Sequence, residues 1–246
     1  MNIQNLPPEI AHIVGTSQLT DTSGRSGAAT YRIDRDCGYY LKITEPGRLR
    51  REAEMTAYFA RYKLSAEVIA YVTADRDYLV TTDIGGYSGI TDTALSDPRR
   101  LCRIYGESLR RLHDARFDDC TTVSTCMGIA VPENPMPDTQ YTACVDVTDA
   151  DTAAYLLTLR SRLKTDVMLH GDYCLPNILL DDAGFRGFID LGEAGLGDRH
   201  FDLFWGIWSL GYNLKTNGFR EYFFDCYGRD NIDFEMIQLC GVLSSF

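Results

Sequence analysis

Hydrophobic and polar positions alternate in short runs over the first third of the chain. Tyr31-Arg32-Ile33 and Tyr39-Tyr40-Leu41-Lys42-Ile43 flank a turn containing Asp34, Asp36 and Gly38. Val68-Ile69-Ala70-Tyr71-Val72 and Tyr78-Leu79-Val80-Thr81-Thr82 flank another around residues 75–77. Aromatic and β-branched residues interrupted by turn formers predict two antiparallel strand pairs. Between the pairs, residues 48–62 carry Leu49, Ala53, Met55, Tyr58, Phe59 and Tyr62 at roughly helical spacing, without Pro or Gly. This predicts a small α+β lobe with one helix. Gly85-Gly86-Tyr87-Ser88-Gly89 then breaks the pattern and reads as a linker, which divides the chain into residues 1–84 and 85–246.

The remainder reads as mainly helical. Ser96-Asp97-Pro98 starts a helix whose apolar positions include Leu101, Ile104, Tyr105, Leu109 and Leu112. Residues 121–148 contain three prolines and read as a long loop, which is uncommon without a function. Further helices are expected over residues 153–163, 201–214, 219–227 and 234–243. Val167-Met168-Leu169, Ile178-Leu179-Leu180 and Phe188-Ile189 read as short buried strands, with Asp181-Asp182-Ala183-Gly184 as a hairpin turn.

Composition narrows the partners. The 246 residues hold 35 acids against 24 Lys and Arg, a net charge of −11. A nucleic-acid partner would need a basic patch, so the balance favours a small cationic substrate. The acids are locally dense between Asp114 and Asp151, where Arg116 is the single base. The eight cysteines are spread from Cys37 to Cys240 with no C-x-x-C pair, which favours reduced thiols over a disulfide framework or a zinc site. No apolar run is long enough to span a bilayer, and there is no basic-then-apolar leader. The expectation is a cytoplasmic protein without a membrane partner.

The most specific chemistry lies in His170-Gly171-Asp172-Tyr173-Cys174-Leu175-Pro176-Asn177, followed by Ile189-Asp190-Leu191-Gly192. An Asp, an Asn and a second Asp stand in the order and spacing of the kinase template H-R-D-x-x-x-x-N and D-F-G, with Gly171 in place of the Arg and Leu191 in place of the Phe. Asp172 can accept or orient the proton of an attacking hydroxyl. Asn177 and Asp190 offer hard oxygen ligands for Mg2+ on the phosphates of ATP. Lys42, on a strand with apolar neighbours, suits the α- and β-phosphates, with Glu52 on the following helix as its partner and Glu54 as the alternative. Small residues at 22–29 would let backbone N–H groups approach phosphates. By analogy with a bilobal architecture, backbone groups of Thr82 and Ile84 would meet the adenine edge. Asp198 and Asp202 are expected to cap the next helix and brace the loop. His170 is expected to hold the catalytic loop, and His113 to act as a favourable partner of its helix dipole.

These motifs, with Gly197-Asp198-Arg199, Asp202, Tyr40-Leu41-Lys42 and Arg51-Glu52, resemble those of the aminoglycoside phosphotransferases, most nearly the 3′-phosphotransferase branch. The resemblance covers nearly the whole chain. It implies an α+β, bilobal protein-kinase-like fold with a small N-terminal antiparallel-sheet lobe and a larger, mainly helical C-terminal lobe. It further implies Asp172 as catalytic base, Asn177 and Asp190 as magnesium ligands, Lys42 with Glu52 as the phosphate-gripping pair, and Ser26 as the loop residue near the nucleotide phosphates. The acceptor would be a ring hydroxyl of an aminoglycoside. Its ammonium groups would need counter-charges, for which Asp146, Asp149, Asp151 and Glu193 are the candidates. The alternatives are the same fold acting on an amino alcohol, sugar or macrolide, and a catalytically silent nucleotide-binding module.

Overall fold

A computed structural model describes residues 6–24, 27–130 and 137–245. The chain divides into two compact units, residues 1–85 with 186–192, and residues 86–185 with 193–246.

The smaller unit is built on a five-stranded sheet. Helix α1 (Pro8–Val14) precedes β1 (Leu19–Asp21), β2 (Ala29–Ile33) and β3 (Tyr39–Thr44). Helix α2 (Arg50–Ala60) follows, then β4 (Val68–Thr73) and β5 (Asp77–Thr82). The strands lie in the order β1-β2-β3-β5-β4, and every neighbouring pair is antiparallel. The period-2 alternation expected of a strand decides what each face buries. Leu41 and Ile43 join Ile33, Val80, Ile10 and Val14 in a core on the α1 side. Lys42, one residue out of step, pairs in register with Leu79, and Leu79 packs with Leu49 and Ala53 of the α2 segment. Alternation therefore delivers Lys42 to the face that α2 covers. Short, amphipathic α1 was not expected from the sequence pattern. Pro8 at its start and Gly15 at its end mark it.

Helix α2 lacks a side-chain cap of its own. A buried carboxylate from the sheet serves instead. Asp77, fully buried at the start of β5, accepts from the Leu49 backbone N–H at 2.8 Å and from the Tyr71 hydroxyl at 3.0 Å. Burial pushes this carboxyl up, but hydrogen bonds from the Gly47 and Leu49 backbone and the Thr73 and Tyr71 hydroxyls outweigh it and leave it below its ordinary value.

In the larger unit, β6 (Tyr87–Ser88), α3 (Asp92–Leu95) and α4 (Pro98–Asp114) come first. Asp97 caps α4, accepting from the Arg100 N–H, and Pro98 stands at N1. The expected loop over 121–148 is only partly a loop. It holds a 3-10 turn at Thr125–Gly128, α5 (Thr139–Thr142) and another 3-10 turn at Ala143–Val145. Helix α6 (Ala150–Thr158) leads to β7 (Val167–Leu169), β8 (Ile178–Asp181), β9 (Gly184–Phe188) and β10 (Gly195–Gly197). Strand β10 pairs antiparallel with β7, and β6, β8 and β9 form a three-stranded sheet in that order. Strand β9 carries the chain out of the larger unit and into the smaller one.

Three helices close the chain: α7 (Arg199–Leu214), α8 (Arg220–Tyr227) and α9 (Phe234–Leu243). Helix α9 is buried along most of its length. Gly106 permits the close approach of α4 and α8, since a Cβ there would meet the Cys226 Cβ and the backbone of Tyr227 and Phe223 at 2.8–3.0 Å. Among the described residues no helix is long and apolar enough to cross a membrane.

The Asp77 cap yields a stability test. Asp77→Ala leaves the Leu49 N–H and the Tyr71 hydroxyl without their acceptor, a loss of about 1–3 kcal/mol. Thermal unfolding should drop by roughly 2–4 °C per kcal/mol for a chain of this size. Because the folded carboxyl is depressed, its contribution is present above about pH 4 and fades as pH falls through the folded value. The melting difference should therefore shrink in acid. A variant that melts together with the wild type at neutral pH would remove Asp77 from this role.

Candidate active site

In the smaller unit three charged side chains meet. Lys42 Nζ donates to both Glu52 oxygens, at 2.9 and 2.8 Å, and to Asp190 Oδ1 at 2.5 Å. Glu52 lies in the first turn of α2, while Glu54 points outward to an exposed pair with Arg50. Burial pulls the Lys42 ammonium down, but Asp190 and Glu52 more than compensate and hold it above its ordinary value. Burial raises the Glu52 carboxyl; Lys42 opposes this, and Asp190 adds to it. Two carboxylates around one ammonium leave an excess negative charge in a partly desolvated place, which favours a cation.

Asp190 is the more open of the two acids, with 43% of its side chain exposed. Its backbone lies in the left-handed region at φ +58°, where Asp and Asn are among the few tolerated side chains. Gly192 follows, and a Cβ there would lie 3.9 Å from that of Glu52. The stretch is anchored by Phe188, which donates its N–H to the Leu64 carbonyl at 2.8 Å and packs edge-on against Phe59.

The larger unit holds the loop from His170 to Asn177. Asp202, fully buried on α7, fixes its start. The carboxylate accepts from the backbone N–H groups of His170 (2.7 Å) and Gly171 (2.9 Å), and lies 3.2 Å from His113 Nε2. With Nε2–H donating to Asp202, His113 Nδ1 accepts from the Tyr227 hydroxyl at 2.9 Å. Burial lowers the His113 pKa, against the pull of Asp202. The expected charged partner of a helix dipole is thus a buried neutral imidazole bridging α4, α7 and α8. Asp198 caps α7 through the His200 N–H at 3.0 Å.

Gly171 has φ +83°, and a Cβ there would collide with the Glu193 carbonyl. Next, Asp172 N–H donates to His170 Nδ1 at 3.3 Å. The loop continues with Tyr173, whose ring stacks on Tyr105 at 4.5 Å between centroids. The two hydroxyls are exchanged: Tyr105 OH donates to the Tyr173 carbonyl at 2.6 Å and Tyr173 OH to the Tyr105 carbonyl at 2.7 Å. Ser209 Oγ accepts from the Leu175 N–H at 2.9 Å. Neither this tyrosine pair nor Ser209 was expected from sequence, though Tyr173 adjoins the motif's Asp.

Asn177 donates its amide to the Asp172 carbonyl at 3.0 Å and to Asp172 Oδ2 at 2.8 Å. Both bonds use Nδ2, so Oδ1 is the atom left to meet a cation, and Asp172 is held from one side. Among the described residues no trio of His, Cys, Asp and Glu side chains gathers into a metal cage. The amide oxygen of Asn177 is a hard donor, suited to a cation such as magnesium.

The remaining expected residues fall as follows. Thr82 donates its backbone N–H to the Glu67 carbonyl at 2.9 Å, and its hydroxyl accepts from the Glu67 N–H at 3.0 Å. The Ile84 carbonyl accepts from Arg186, at 2.5 Å from Nη2. Ser26 lies outside the described residues. Asp149 caps α6 through the Thr152 N–H and hydroxyl, both at 2.8 Å. Asp146, in left-handed backbone, pairs with Arg220 at 3.0 Å. Asp151 lies in the first turn of α6. The Glu193 carbonyl accepts from the Ser124 hydroxyl at 2.8 Å, and its side chain is exposed.

Comparison with known proteins agrees with this chemistry. The profile of the phosphotransferase enzyme family APH matches residues 19–237. The chain is 38% identical to a probable aminoglycoside 3′-phosphotransferase of Lactococcus lactis, covering all of this chain and 97% of that one. It is 29% identical to an aminoglycoside 3′-phosphotransferase of Niallia circulans, covering 99% and 98%. In fold it is similar to the crystal structure of aminoglycoside-3′-phosphotransferase of type VIII, with a TM-score of 0.72 at 19% identity over 96% of this chain and 97% of that one. It is also similar to an aminoglycoside phosphotransferase of Streptomyces rimosus bound to ADP and streptomycin, with a TM-score of 0.70 at 19% identity over 100% and 98%. With a family profile along most of its length and full-length relatives, this chain belongs to the aminoglycoside phosphotransferase family.

Proposed function

We propose that this protein is an ATP- and magnesium-dependent kinase that transfers the γ-phosphate to a ring hydroxyl of an aminoglycoside and so inactivates it. The observation that carries the reading is the pair of prepared half-sites. One is the Lys42–Glu52–Asp190 cluster. The other is Asp172, held by Asn177 on a loop braced by Asp202. A silent module has no chemical need for both.

Asp172 takes or orients the proton of the acceptor hydroxyl. Asn177 Oδ1 and Asp190 would hold a magnesium ion, which would supply positive charge to the transferring phosphoryl group. Lys42, positioned by Glu52, grips the α- and β-phosphates; Ser26 approaches them, and the backbone at Thr82 and Ile84 meets the adenine edge. Residues 1–84, joined by 186–192, form the nucleotide-binding lobe, and the rest of 85–246 the catalytic and substrate-binding lobe. Asp146, Asp149, Asp151 and Glu193 are the proposed anionic partners of the substrate ammoniums. Two of them have work already, Asp149 as a cap and Asp146 opposite Arg220. The protein acts in the cytoplasm.

Coupled ADP release with magnesium-ATP across kanamycin-, neomycin- and gentamicin-type compounds tests the reading. Turnover that depends on the acceptor and falls by about 10²–10⁴-fold in Asp172→Ala supports it. ADP release indifferent to every aminoglycoside would defeat it. Asp190→Asn keeps a side chain that tolerates left-handed backbone but removes the charge. It should weaken magnesium-nucleotide binding and turnover together while the melting temperature holds; unchanged nucleotide binding would reassign the metal. Gly171→Ala imposes both a disfavoured φ and a backbone collision. It should depress kcat well beyond any change in the KM for ATP, and wild-type kcat would mean the loop geometry is not needed.

A further inference from the structure

A run of aromatic rings in the larger unit has no part in holding the catalytic loop. Trp208 of α7 stacks on Tyr141 of α5, with centroids 5.8 Å apart and planes at 25°, and on Tyr212, 5.3 Å apart at 12°. Trp205 meets both Tyr141 and Trp208 edge-on, at 6.0 and 5.4 Å. The ladder is oriented by one polar bond, from Trp208 Nε1–H to the Gln140 carbonyl at 3.0 Å. Residues 205, 208 and 212 recur at helical spacing and form one stripe of α7.

Its place on the helix matters. Ser209, next to Trp208, accepts the Leu175 N–H of the loop that carries Asp172, and Asn213, next to Tyr212, donates to the Ser209 carbonyl at 2.8 Å. The aromatic stripe therefore flanks the face of α7 that grips the catalytic loop. A ring set serving only to pin α5 would close over its outer member. Here Tyr212 remains 49% exposed. An ammonium already sits on it, Lys215 Nζ, 4.3 Å from the ring centroid. That lysine shows which chemistry the ladder accepts: a cation on the negative face of an aromatic ring.

We infer that the Tyr141–Trp208–Tyr212 ladder is a binding platform for the phosphate acceptor, taking an aminocyclitol sugar through its ammonium groups and apolar ring face, with Lys215 as the internal occupant that it displaces. This deepens the function proposed above and rests on its choice of a cationic acceptor. The ladder supplies attraction for cations where Asp146 and Asp149 are engaged by Arg220 and by the start of α6. An aromatic face takes an ammonium without requiring a buried counter-charge.

The test is equilibrium binding of kanamycin to the full chain by calorimetry in the presence of magnesium-ADP, with turnover measured alongside. Tyr212→Ala should weaken kanamycin binding by about three- to tenfold and leave the KM for ATP unchanged. Tyr212→Phe, which keeps the ring, should bind as the wild type does, and Lys215→Ala should bind more tightly. Equal affinity in Tyr212→Ala and wild type would overturn the platform. So would a Tyr212→Phe variant as weak as Tyr212→Ala, a Lys215→Ala variant that gains nothing, or a wild type that fails to bind kanamycin at millimolar concentration. Kanamycin binding that depends on Tyr212 without any phosphoryl transfer would sink the kinase reading and leave the platform standing.

Discussion

The buried carboxylate of Asp202 is the constraint on which the catalytic loop depends. Two consecutive backbone N–H groups, from His170 and Gly171, converge on its oxygens. Consecutive donors can share one acceptor group only when the chain turns sharply, and Gly171 at φ +83° supplies that turn. A buried charge is tolerable when hydrogen bonds surround it, and His113 adds a third donor. From there the order spreads outward. His113 leans on Tyr227, Arg199 donates to the same hydroxyl at 3.2 Å, and Tyr105 locks Tyr173. The residue that would handle the substrate proton, Asp172, thus sits on a segment whose backbone has little freedom left. Pre-organisation of this kind is what a reaction dominated by positioning requires.

The smaller unit solves a different electrostatic problem. Lys42, Glu52 and Asp190 gather more negative than positive charge in a partly desolvated place. An unrelieved excess of that kind costs stability, so it is tolerated where a ligand completes it. The protein anchors the cluster from behind. Asp77 holds the start of α2, and one turn along that helix stands Glu52. A charge in the core of the sheet thereby governs the reach of a second charge, the one beside Lys42.

The parts of this arrangement that are local in sequence were legible beforehand. The alternation around Leu41, Lys42 and Ile43 gave the strand and its faces, and the Asp97-Pro98 pair gave the start of α4. The spacing from Asp172 to Asn177 and on to Asp190 announced the chemistry. Illegible were contacts made across long separations. Asp77 reads as a turn residue until Leu49 is seen above it. His113 reads as a helix-end cation until Asp202 and Tyr227 enclose it and burial keeps it neutral. Residues 121–148 read as loop because prolines and short polar runs mask α5, which is one turn long and is held by Tyr141 against α7 rather than by its own propensity. That Asp149 also caps α6 is equally hidden in the sequence, where the one local signal is Thr152 three residues on.

The path of β9 bears on heredity. Residues 186–192 belong with residues 1–85, although about a hundred positions separate them along the chain. They bring Phe188, fully buried, and Asp190, the partner of Lys42. A recombination crossover in the glycine linker would therefore separate Lys42 from Asp190, though not from Glu52, and leave Phe188 without Phe59 and the Leu64 carbonyl. The two units look like modules, yet neither can be shuffled into a new gene by a single cut.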